Sequence, residues 1–150
     1  MTKVKKIAAL ICVLAFLIGG LWFYWEQQLI IGDLIPDSTW TRLELRKGTA
    51  AGSGEEIVYD APLEPLLTRI KAASVTRDEE NRLLSDQHFQ IILYNGNTYP
   101  TMLYVKSNGE VHIAVQLDFD HWKHYEDGEE LYAFLLDYCE SLPAEVYTPQ

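Results

Sequence analysis

Two cysteines in 150 residues leave little covalent help for a fold. Cys12 lies inside an apolar run and Cys139 stands alone beyond it, so the part that follows the run has no intrachain disulfide framework. A core has to hold it. Basic charge is scarce too: 12 Lys and Arg face 22 Asp and Glu, a formal net charge of −10. All 22 acidic residues follow residue 25 together with nine of the basic ones, a balance of −13 in that part. Such a surface repels nucleic acid and anionic lipid, and it suits solvation or a cationic partner. Neither G-x-G-x-x-G nor G-x-x-x-x-G-K occurs, so no phosphate cradle is expected and no cofactor is implied. The basic patch with interleaved aromatics that single-stranded nucleic acid requires is missing as well.

What is present in quantity is apolar length near the amino terminus. Ile7–Trp25 (IAALICVLAFLIGGLWFYW) runs 19 residues without a charge. As a helix it measures roughly 28 Å, close to the ~30 Å hydrocarbon core of a bilayer. Lys3, Lys5 and Lys6 precede it and Glu26 follows, so the positive-inside bias keeps the amino terminus in the cytoplasm. Trp22, Phe23, Tyr24 and Trp25 fall at the outer end, where amphipathic rings prefer the headgroup layer. A cleaved signal peptide shares the basic start but needs a shorter apolar core and small residues at the cut. Here bulky aromatics follow Gly19-Gly20, and Leu10-Ile11 before Cys12 lacks the small residue expected ahead of a lipidated cysteine. The expectation is an uncleaved signal-anchor, single-pass in the cell membrane, with the C-terminal domain outside.

Four segments follow from this: a cytoplasmic tip and membrane helix over 1–25, a juxtamembrane linker over 26–38, an extracytoplasmic α+β domain over 39–143, and a loose tail over 144–150. Leu29-Ile30-Ile31 and Leu34-Ile35 are apolar for a free linker and either extend the helix or dock on the domain. Residues 40–47 (WTRLELRK) alternate as a half-buried strand, 48–54 read as a Gly-rich turn, and 55–59 (EEIVY) as the returning strand. Leu63, Leu66, Leu67 and Ile70 repeat at i, i+3, i+4, i+7, which predicts a helix over 60–73 capped by Asp60 or Ala61. Residues 75–87 are charged and read as a solvated loop with room for one short strand. From 88 to 119, alternation punctuated by Asn95-Gly96 and Asn108-Gly109 predicts a three-stranded antiparallel meander. Asp127 and Glu130 have capping-box spacing before a closing helix over 129–142, which Pro143 ends. The predicted fold is one antiparallel sheet of about five strands with two helices on one face.

Candidate chemistry is sparse. Asp118, Asp120, His121, His124 and Asp127 form the densest group of potential metal ligands, although Lys123 stands where a calcium loop needs glycine. Ser53 lies in Gly52-Ser53-Gly54 within a hairpin turn, not at a strand-to-helix elbow. Cys139 sits near the apolar stripe of the closing helix and reads as a small core residue. His112 falls on the polar side of a strand and reads as an exposed, inert histidine. The aromatics Trp40, Tyr94, Tyr99, Tyr104, Trp122 and Tyr125 are the candidates for a partner or glycan surface; their alternative is a second small core.

The stretches PDSTWTRLELRKG, VYDAPLEPLLTRI, HFQIILYNGNTYPTMLYVKSNGEVHI and EELYAFLLDY together resemble the uncharacterised extracytoplasmic domains, of unknown function, found in small membrane-anchored proteins of Gram-positive bacteria. The resemblance covers about residues 36–140. It implies a cell-surface location, no known activity and no functional residue. The sequence therefore leads to a non-enzymatic, membrane-anchored module that binds a protein or envelope component and no nucleic acid. An inhibitor or immunity-type protein against a secreted enzyme is the first alternative. A metal-dependent envelope enzyme using the 118–127 loop is the second.

Overall fold

In the computed structural model, residues 3–48, 56–78, 87–96, 99–117 and 122–147 are described. Helix α1 (Lys3–Glu26) contains the apolar run. It is long and apolar enough to cross a membrane, and none of its apolar window is buried against the rest of the chain.

The chain turns immediately into the folded head. Strand β1 (Leu29–Ile30) begins two residues after α1 ends, and one helical turn, α2 (Ile31–Leu34), follows it. Strands β2 (Arg42–Gly48) and β3 (Glu56–Tyr59) form the first hairpin, and α3 (Leu63–Lys71) comes next. Then come β4 (Ser74–Arg77), β5 (His88–Tyr94), β6 (Thr101–Lys106) and β7 (Val111–Ala114). Strand β8 (Lys123–Glu126), α4 (Glu129–Glu140) and β9 (Ala144–Tyr147) complete the order. Among the described residues, nine strands join one antiparallel sheet in the order β1-β4-β8-β7-β6-β5-β2-β3-β9.

The α+β class and the antiparallel sheet agree with the sequence pattern, but the sheet has nine strands, not five. The five strands with clear alternation occupy its centre, as β2, β3, β5, β6 and β7. The other four are two to four residues long and lie where the sequence reads as linker, loop or tail. They lack an alternating apolar pattern of their own, and pairing with neighbouring strands makes them strands. Thus 144–147 of the expected loose tail pairs with β3, and 29–30 of the expected linker pairs with β4. Strand β7 also stops at Ala114, where a 3-10 turn takes over for Val115–Leu117.

Register fixes the two faces. Leu43, Leu45, Phe89, Ile91, Leu93, Leu103, Val105, Val111 and Ile113 meet across strands on one side. Leu66, Leu67 and Ile70 of α3 and Leu131, Leu135 and Cys139 of α4 bury against them in one core. Ile31 and Ile35 enter the same core, so the stretch after α1 docks on the head. The backbone N–H of Ile31 also donates to Ala73 O at 2.9 Å.

Helix ends depart from the expected caps. Pro62 and Gly128 precede α3 and α4, neither with a side-chain cap, and Glu64, Glu129 and Glu130 supply negative charge to the first turns instead. Asp127 is not the cap: its φ is +63° and its carboxylate accepts from Thr76 Oγ1 at 2.6 Å. The amino end of α4 is held on the β6–β7 turn, where Gly128 N–H donates to Gly109 O at 2.8 Å. Gly109 has φ +88°, and a Cβ there would run into the Glu129 side chain.

Because Ile31 is fully buried, Ile31→Ala is expected to destabilise the head by about 2–5 kcal/mol, as deletion of a core aliphatic does elsewhere. Chemical unfolding of the full chain checks this, and an unchanged midpoint would show residues 29–35 to be dispensable to the core.

Candidate functional site

The second sheet face carries neither α3 nor α4. Alternation points Arg42, Glu44 and Arg46 of β2 to it, with His88, Gln90, Ile92 and Tyr94 of β5. Met102, Tyr104 and Lys106 of β6, His112 and Ala114 of β7, and His124 of β8 continue it. One cross-strand row therefore reads His124, His112, Tyr104, Gln90, Arg46.

Rings gather along this row. Trp122 packs against Tyr104 with centroids 5.3 Å apart, and His88 flanks Tyr104 at 5.5 Å. His112 lies edge-on to His124 at 4.6 Å and to Trp122 at 6.4 Å. Toward β2 the row becomes polar. Gln90 Nε2 donates to Tyr104 Oη at 3.0 Å. Arg46 is held between Glu44 and Glu56, with its Nη1 2.9 Å from Glu56. The Arg42 guanidinium lies 3.9 Å over the Tyr94 ring, a cation–π contact.

Beside the rings is a buried charge cluster. Lys106 is 1% exposed and Glu110 3%. Lys106 Nζ donates to Glu110 Oε2 at 2.5 Å, and Asn108 Nδ2 donates to Glu110 Oε1 at 2.8 Å. His112 Nε2 stands 3.5 Å from the same carboxylate. Burial alone would raise the Glu110 carboxyl, but hydrogen bonds from Lys106, Asn108 and His112 outweigh it and hold it at about 2. Burial pushes the His112 imidazole below its ordinary value, and His124 and Lys106 push it the same way against Glu110. His112 is thus not the exposed histidine its strand pattern implied: it is 4% exposed, because Trp122 and the β8 imidazole close over it. Among the described residues, Nδ1 of His124 is also buried without a hydrogen-bond partner.

The aromatic candidates divide. Trp40 and Tyr125, each 8% exposed, belong to the core and cannot offer a surface. Tyr99 is 73% exposed in the β5–β6 connection. Tyr94, Tyr104 and Trp122 share the open face and are half-buried. Of the metal candidates, Asp118, Asp120 and His121 lie outside the described residues, as does Ser53. His124 faces His112, whereas Asp127 engages Thr76. Among the described residues, no three His, Cys, Asp or Glu side chains gather as a metal-holding group. Cys139 is buried and its thiol is pushed up to about 11 by that burial, so it is a core residue and a poor nucleophile at neutral pH. The residues that sequence reasoning missed are His88, Gln90, Lys106, Glu110 and His112. Only the β5–β6–β7 register brings them together, although the polar alternation of those strands was a signal that they share a face.

Comparison of the chain with protein-family models, with curated proteins and with solved structures gives no match.

The buried cluster makes stability fall with acid in two windows. His112 binds its proton more weakly folded than unfolded, so its loss begins as pH drops below 6.5. Glu110 holds its charge more firmly folded than unfolded, so its contribution is complete above 4.5 and is lost as pH falls toward 2. Unfolding free energy measured against pH is expected to decline in both windows, and in the His112→Gln variant only in the lower one. Lys106→Met leaves Glu110 buried without its cation and is expected to cost about 3–5 kcal/mol, whereas Lys106→Met with Glu110→Leu recovers most of it. Equal losses in the single and double variants would deny the coupling.

Proposed function

We propose that this chain is a single-pass membrane protein whose folded head, outside the cytoplasm, is a binding module and not an enzyme. The observation that carries the reading is the ring row on the second sheet face: half-exposed Trp122 and His88 each pack on half-exposed Tyr104, and among the described residues neither α3 nor α4 lies on that side. Rigid amphipathic rings on a surface are the side chains that contribute most to recognition. The likeness of the 36–140 layout to small anchored extracytoplasmic domains points to the same compartment.

The join between anchor and head supports presentation close to the membrane. Arg77 of β4 donates from Nη1 to Tyr24 O at 3.1 Å, and its guanidinium lies 4.0 Å over the Tyr24 ring. That carbonyl belongs to the last turn of α1, where a cation complements the helix dipole. With β1 paired to β4 two residues later, the head is clasped to the helix end and does not swing on a long tether.

Two measurements test the proposal. Protease added to intact cells is expected to digest the head without lysis; protection until lysis would place it inside and overturn the reading. A photo-crosslinking residue at position 104 is expected to give adducts on intact cells that the same residue at Leu136, exposed on α4, does not. Equal yields from the two positions would deny the open face its role.

A further inference from the structure

We propose that the open-face row binds a neutral oligosaccharide chain, stacked on Tyr104 and Trp122 and hydrogen-bonded by Gln90, Arg46, Glu44 and Glu56. The inference rests on the reading of this face as the binding surface and supplies the class of its ligand.

Charge is the first argument. The part of the chain beyond the anchor is strongly acidic, but the open face of its five central strands is balanced. Arg42, Arg46 and Lys106 match Glu44, Glu56 and Glu110, and the three cations are engaged on Tyr94, on Glu44 with Glu56, and on Glu110. The extra carboxylates Glu126 and Glu145 sit on the flanking strands β8 and β9. A surface for a basic partner carries excess carboxylate at its centre, and one for an anion carries a spare cation. This centre has neither, which fits an uncharged ligand.

Chemistry of the side chains is the second. The Tyr104 and Trp122 rings are inclined by 58°, and the His88 and Tyr104 rings by 48°, so successive rings present separate facets along a line. The C–H faces of pyranose rings are apolar and pack on such facets at little entropic cost to the protein. Next to them, Arg46 is fixed between two carboxylates and Gln90 is fixed on Tyr104 Oη. A guanidinium has five N–H groups and a carboxylate several lone pairs, so both retain capacity after pairing with each other. Sugar hydroxyls donate and accept at once and satisfy both kinds of group without bringing charge. Held in place by their partners, these planar groups lose little freedom when a ligand arrives.

Dimensions are the third. The row crosses from β8 to β2 in four inter-strand steps of about 4.8 Å, roughly 19 Å in all, with Trp122, Tyr104 and Arg46 its accessible members and His112 and Gln90 buried between them. That length suits an extended chain lying across the strands rather than a single sugar.

The full-length protein in lipid nanodiscs, free of glycoside detergent, tests this by calorimetric titration with N-acetylchitohexaose, cellohexaose and maltohexaose, with heptalysine as the cationic control. Saturable binding of at least one hexasaccharide is expected, with a Kd below about 1 mM. Tyr104→Ala and Gln90→Ala are each expected to weaken it about tenfold, and Trp122→Phe less than Trp122→Ala. Tyr104→Phe keeps the ring, guards against loss of folding and, because it frees Gln90, is expected to bind more tightly than Tyr104→Ala and more weakly than the unaltered chain. No saturation with any of the three sugars, or binding of heptalysine in their place, overturns the proposal. So does sugar binding that Tyr104→Ala and Gln90→Ala leave unchanged. If sugars fail while the crosslinker at position 104 still gives its face-specific adducts, the glycan class falls and the binding face stands; if both fail, both fall.

Discussion

Strand alternation is the constraint on which this structure depends. Across β2, β5 and β6 every second residue points to one side, and the register aligns Leu45 with Ile91 and Ile91 with Leu103. Two short helices cover one side of such a sheet only. Leu66, Ile70 and Leu135 are fully buried where they meet it, and deleting any aliphatic of that layer removes both its transfer energy and its packing. A shift of one residue in any central strand would exchange the apolar and polar sets, so the core and the open face are specified together.

The open face is polar but not loosely solvated. Lys106, Glu110 and His112 are almost as buried as the core, and each of them meets a charged or hydrogen-bonding partner. Taking such groups out of water is costly, and the hydrogen bonds and ion pairs that they make to one another offset that cost. The cluster sits at the β6–β7 turn, where Asn108 accepts from the Glu110 N–H and Gly109 receives the amino end of α4. One turn thus ties the charge cluster on one face to the helix layer on the other.

At the β1 edge of the sheet, Arg77 of β4 meets Tyr24 of α1 through a hydrogen bond and a cation–π contact, and β1 pairs with β4. Strand β4 also pairs with β8, which carries His124 to the open face and Tyr125 into the core. Strand β8 of the ring row is therefore joined through β4 to β1, the strand that follows α1.

Much of this was legible before folding because it is local. A run of 19 uncharged residues makes a helix long and apolar enough to cross a membrane whatever surrounds it, and the period-two and period-3.6 patterns of β2, β5, β6, α3 and α4 follow from backbone geometry alone. The candidate site was legible only in part. Tyr94, Tyr104 and Trp122 were among the aromatics named, but nothing local distinguished them from Trp40 and Tyr125, which the core absorbed. The sequence by itself determined the apolar helix, the class of fold and the existence of one polar sheet face. Tertiary structure decided which residues that face brings together: strands of two to four residues joined the sheet because neighbours offered them hydrogen bonds, and the β6–β7–β8 register set His112 under Trp122. Those contacts join positions that no period along the chain relates, so only the pairing of strands could place them.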